Sequence, residues 1–76
     1  MSIKIGCLHV GDKVRYQPDH YLGDAWENGI VKEIREGVTD AVWVVYNCNN
    51  EWYRYTDFTS AKTNLCDLKH GWLNVK

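Results

Sequence analysis

Proline is nearly missing from this chain, with Pro18 standing alone, and no linker, low-complexity stretch or internal repeat interrupts it. One domain is therefore expected. Cysteine occurs three times, as Cys7, Cys48 and Cys66, with no Cys-x-x-Cys pair. An odd, unpaired set argues against a disulfide framework and for free thiols in a reducing cytoplasm. A zinc centre drawing on Cys7, His9 and the other two cysteines lacks the paired ligand spacing of such sites, so neither metal nor other cofactor is expected. Charge of one sign is also lacking. Nine Lys and Arg face ten Asp and Glu, for a formal net charge of −1. Phosphate contacts dominate nucleic-acid affinity and usually demand a basic excess, whereas here the cations are scattered from Lys4 to Lys76 without a cluster. No apolar run is long enough to cross a bilayer, and no signal-type apolar region opens the sequence, which leads us to expect a cytoplasmic protein without a membrane partner. Catalytic patterns are missing too. His9, His20 and His70 are spread apart, and there is no Ser-His-Asp set, phosphate loop or His-Glu-x-x-His. The expectation is a protein that is not an enzyme.

What the chain does have is rings: four Trp, five Tyr and one Phe in 76 residues. A chain this short is near the lower limit for building its own core, and large rings bury much area per residue. Residues 41–47, Ala-Val-Trp-Val-Val-Tyr-Asn, are apolar at nearly every position and dominated by β-branched and aromatic side chains. The run is too short for a buried helix and too continuous for a half-exposed strand. It predicts a central strand covered on both sides, with Val42 and Val44 buried and Trp43 in the core. Asn49-Asn50 then predicts a tight hairpin tip, and residues 52–55, Trp-Tyr-Arg-Tyr, its returning strand.

The remaining elements are short. Gly11-Asp12 predicts a turn that launches a strand in which Val14 and Tyr16 point one way and Lys13, Arg15 and Gln17 the other. Pro18 cannot donate to a ladder and ends that strand or sits on an edge. Residues 19–26, Asp-His-Tyr-Leu-Gly-Asp-Ala-Trp, form a loop of the length that carries function, or that covers an open end of the core. Ile30-Val31-Lys32-Glu33-Ile34 predicts a second strand, with Gly29 marking a bulge or a close backbone approach. Residues 57–64 are polar and read as a loop or a single helical turn. Leu65 to Leu68 suits a 3₁₀ turn as well as a strand, and Trp72 in the tail is expected to pack back. Four or five short antiparallel strands with frequent turns define an all-β fold of small-barrel type.

Gly11-Asp12-Lys13-Val14, Gly29-Ile30-Val31-x-x-Ile34, Val42-x-Val44-Val45-Tyr46 and Asn64-Leu65-x-Asp67-Leu68 together resemble the Tudor pattern within the SH3-like barrels. Order and spacing agree from Val10 to Leu68, apart from several extra residues before Asn64. Residues 27–32, 45–48 and 67–72 are also similar to a group of short, functionally uncharacterised bacterial and phage proteins. The Tudor resemblance implies a binding module whose rings cage methylated lysine or arginine. Tyr46 falls on the cage position of the central strand, while Pro18 and Asn49 stand where two further cage aromatics would be. Tyr21, Trp26, Trp52 or Tyr53 stand near enough in sequence to take their place.

Two functional readings follow. The first is a non-catalytic module that recognises a protein or peptide through an aromatic end made of Tyr21, Trp26, Tyr46, Trp52 and Tyr53, since aromatic anchors give large rigid contact area. The second is a KOW-type nucleic-acid-binding barrel, with Lys13, Arg15 and Lys32 as its positive face and Tyr16 or Tyr53 stacking on bases. A monomer or weak homodimer is expected, because an open sheet edge can pair with a second copy.

Overall fold

A computed structural model of the protein describes residues 3–18, 26–46, 48 and 50–73. Five strands make one antiparallel sheet: β1 (Lys13–Tyr16), β2 (Glu27–Glu33), β3 (Ala41–Val45), β4 (Ala61–Asn64) and β5 (Leu68–His70). Their order across the sheet is β4-β3-β2-β1-β5. Among the described residues there is no α-helix. Three 3₁₀ segments are also present among the described residues, at Ile5–Cys7, Trp52–Asp57 and Leu65–Asp67. The all-β class and the antiparallel strands are those expected from the sequence.

The small barrel expected from the sequence is not closed. No ladder joins β4 to β5 among the described residues. The sheet nevertheless curls. Laid flat, its outermost strands would lie about 19 Å apart across four inter-strand gaps, whereas the four steps from Asn64 to Leu68 reach at most about 14 Å. The 3₁₀ turn Leu65–Asp67 makes the crossing while continuing both ladders. Leu65 N–H donates to the Asp40 carbonyl beside β3, and Asp67 accepts from Gln17 N–H beside β1.

The register divides the side chains into two layers. Val31 faces Val44, Val14 faces Gly29, and Val42 faces Thr63. Opposite residues share a face, and this one forms the main core of Val14, Val31, Val42, Val44, Leu65 and Leu68, closed at one end by Ile3 and Leu8. On the other face Ile30 lies opposite Val45, and both are buried, as is Cys48. Thus β3 is covered on both sides, as its continuous apolar run predicts.

The second layer is built by a segment that the sequence reading assigned differently. Residues 52–55 are not the strand returning from β3; they belong to the 3₁₀ segment Trp52–Asp57. A 3₁₀ turn has three residues, so positions i and i+3 eclipse. Trp52, Tyr55 and Phe58 are partly buried at this spacing, while Tyr53, Arg54, Thr56 and Asp57 are exposed. Arg54 bonds to Glu51 and to Asp57 at the same spacing on the outside. Local i to i+3 bonding thus overrides the strand preference of the rings. The returning strand is β4, within the stretch expected to be loop, and only Thr63 of its residues is buried. Asn50 does take a positive φ of 63°, while Asn49 lies outside the described residues. Trp43 is half-buried rather than in the core, with the Arg35 guanidinium 4.0 Å from the centre of its ring.

The tail straps the outer face. After β5, Gly71 turns the chain at a φ of 78°. Trp72 Nε1–H donates to the Gly29 carbonyl at 2.7 Å, its ring packs on Trp52 at a tilt of 50° with centroids 4.7 Å apart, and Lys13 Nζ lies 4.8 Å above it. Asn28 exchanges two bonds with the Leu73 backbone. Gly29 is glycine because nothing larger fits: a Cβ there would stand 2.5 Å from Val44 Cγ1 and 2.9 Å from the Val45 carbonyl. The close approach expected at this position is present, and the ladder irregularity comes later, between Val31 and Glu33.

Candidate functional site

Alternation along β1 puts Tyr16 on the same face as Val14, one turn of the pleat nearer the rim. Tyr46 follows β3 on that face too. Their rings meet edge to face with centroids 6.1 Å apart, an arrangement favoured by the ring quadrupoles. Beside them opens a cleft of about 490 Å³, within the roughly 300–1,000 Å³ typical of ligand sites. Tyr16 and Glu27 stand on one side, Ala61, Lys62, Thr63 and Asn64 of β4 on the other, with Tyr46 and Asp67 completing the lining.

The polar bonds in the cleft have a direction. Thr63 Oγ1 donates to the Ala61 carbonyl at 3.2 Å, so its contact of 2.7 Å with Tyr46 requires the phenol to donate. Burial pushes the Tyr46 hydroxyl up to about 12; the Thr63 bond acts the other way, and the negative charge of Glu27 and Asp67 adds to the rise. The phenol is therefore neutral at physiological pH. The cleft offers two aromatic rings and two carboxylates; Lys62 also borders it, but its ammonium lies 6.0 Å from the Trp43 ring, on the other face of the strand. Such a lining attracts a cation: ring faces and carboxylates both draw positive charge. It contains no nucleophile paired with a base.

Of the residues expected at the aromatic end, Tyr46 lines this cleft. Trp52 does not; it belongs to the outer layer with Trp72. Tyr53 is 80% exposed on the 3₁₀ segment, where its hydroxyl reaches Glu51. Trp26 is half-buried immediately before β2, and Tyr21 lies outside the described residues. The expected basic face is already engaged. Arg15 bonds to Gln17 and to the His70 and Gly71 carbonyls, tying β1 to the tail. Lys32 donates to the Phe58 carbonyl at 2.6 Å, and Lys13 sits over Trp72. Asp12 is a turn residue as read, accepting from His9 N–H.

Glu27 and Asp67 were missed as site residues, and Tyr16 was named only as a base-stacking ring of the nucleic-acid reading. For Tyr16 the signal was the alternation that set it on the same side of the strand as Val14. Glu27 and Asp67 come together through the ladders that set Tyr16 opposite both Glu27 and Leu68, and no local pattern announces that. Cys7 and Cys66 are exposed and Cys48 buried, all three as free thiols. Among the described residues, no helix is long and apolar enough to cross a membrane. Comparison with family models, with curated proteins and with solved structures finds no match to this chain.

Proposed function

We propose that the protein is a Tudor-like binding module that recognises a protein or peptide by a cationic side chain, methylated lysine or arginine, held in the Tyr16–Tyr46 cleft. The observation that carries this is the pairing of two neutral rings with two carboxylates, Glu27 and Asp67, around one cleft. Methylation strips hydration from an ammonium and leaves its charge, which favours ring faces over water. Further support comes from Tyr46, the residue on which the Tudor resemblance places a cage ring. The cleft binds rather than transforms its ligand. The nucleic-acid reading has less support, because Arg15 and Lys32 each bond to backbone carbonyls within the fold.

Calorimetric titration with Nα-acetyl-trimethyl-lysine methylamide tests the proposal. Binding is expected to weaken severalfold in Glu27→Gln and in Asp67→Asn, each of which keeps its shape while losing a charge, and to weaken further as salt is added. Binding indifferent to both substitutions, or none at all, would refute it.

A further inference from the structure

The cleft is bordered along one side by a strand with an open edge. The β3–β4 register pairs Ala41 with Asn64, Val42 with Thr63, Trp43 with Lys62 and Val44 with Ala61. One step further, Leu65 N–H bonds to the Asp40 carbonyl. In an antiparallel ladder hydrogen-bonded and non-hydrogen-bonded pairs alternate, so Thr63 and Ala61 bond to β3 whereas Lys62 and Asn64 do not. The Lys62 N–H and C=O and the Asn64 N–H therefore point away from β3, along the side of the strand that has no neighbour in the sheet among the described residues. Ala61, Lys62 and Asn64 are all exposed, and all three also line the cleft.

We infer that the ligand is an extended peptide that adds to the sheet as a further strand on β4, bonding through its backbone to Lys62 and Asn64 while one side chain enters the cleft. This rests on the cation reading above and goes beyond it by naming the backbone as half of what is recognised. An added strand takes its face from the strand it joins. The peptide residue opposite Thr63 therefore directs its side chain to the Thr63 side, which is the cleft side, and its two neighbours point to the other face. Charge complementarity selects the occupant: the side chain at that position meets Glu27 and Asp67 and must be cationic. Strand addition gives affinity through main-chain bonds and specificity through alternate side chains. A lone amino acid derivative gains only the second.

The test compares three probes by calorimetry and by amide hydrogen exchange. They are Nα-acetyl-trimethyl-lysine methylamide, a short capped peptide with a central trimethyl-lysine, and the same peptide N-methylated at the two residues flanking it. The peptide is expected to bind about tenfold or more tightly than the capped amino acid, and N-methylation to remove that gain. The Lys62 and Asn64 amides should become protected by the peptide alone. Equal binding of all three probes would overturn strand addition and leave the cation cleft standing; failure of every probe to bind would refute the cleft and strand addition with it. Lys62→Pro removes a donor that points away from β3 and should cost the peptide its advantage; if that variant does not fold, the N-methylated peptide decides alone. Light scattering that shows a dimer, with Lys62 and Asn64 already protected in it, would assign the edge to a second copy and also overturn the inference.

Discussion

Removing the Trp72 ring probes whether the tail belongs to the folded body. A fully buried Trp costs about 3–5 kcal/mol when cut back to alanine. Trp72 is half-buried, so its area is worth about 2 kcal/mol. Its Nε1–H bond to the Gly29 carbonyl adds about 1 kcal/mol, and part of the contact with Trp52 is already counted in the area. Trp72→Ala should therefore cost about 3 kcal/mol, against a whole-domain stability of about 4–11 kcal/mol at this length. The melting temperature should fall by roughly 12–24 °C. Trp72→Phe keeps a ring and loses the bond, for about 1–1.5 kcal/mol. Lys13→Ala removes only the cation above the ring, worth about 0.5–1 kcal/mol at an exposed site, and the Lys13–Trp72 double-mutant cycle should return a coupling of that size. Urea titration measures all four, with the m-value unchanged if the folded body keeps its extent. A loss below about 1 kcal/mol for Trp72→Ala would refute the idea that the tail and the 3₁₀ segment form a second packed layer.

Gly29→Ala places a methyl where Val44 and the Val45 carbonyl already stand, so a destabilisation of about 1–3 kcal/mol is expected in the same urea assay. Wild-type behaviour would mean that β2 and β3 are not so closely apposed. Tyr46 supplies a pH dependence. Its folded value of about 12 lies above the usual phenol value of about 10, so between these the folded state holds a proton that the unfolded chain has lost. Stability is thus independent of this group below about pH 10 and falls as pH rises towards 12. Tyr46→Phe should lose less stability than wild type between pH 9 and pH 11.5, measured as paired urea midpoints; parallel losses in the two proteins would contradict the burial of this phenol.

Legibility in the sequence followed the number of neighbours each residue needs. Residues 41–45 were readable because a strand buried on both faces is apolar throughout, and one short window shows that. Residues 52–58 were misleading because Trp and Tyr suit strands. Their actual order is a period of three, in Trp52, Tyr55 and Phe58 and again in Glu51, Arg54 and Asp57, and this was the signal overlooked. Residues 61–64 hide their strand because an edge strand with one inward residue, Thr63, has no visible alternation. Of the cleft, the sequence showed its two rings, Tyr46 as a cage ring and Tyr16 only as a base-stacking ring of the alternative reading. Its carboxylates come from Glu27 and Asp67, forty residues apart in the chain, and the pairing of β1 with both β2 and β5 brings them to one place.

The position of β5 also governs how the chain assembles in time. β1, β2, β3 and β4 pair in sequence order, each with its predecessor, whereas β5 returns to β1, with Tyr16 opposite Leu68. Closing so long a loop is costly until other contacts have formed, so the β1–β5 ladder and the Trp72 strap should be late events, absent from the folding transition state. Destabilising Trp72 should then speed unfolding and barely slow refolding, giving a φ-value near zero. The strap would act as a latch on a sheet already built, and stopped-flow chevrons of Trp72→Phe would show it as a shift confined to the unfolding limb.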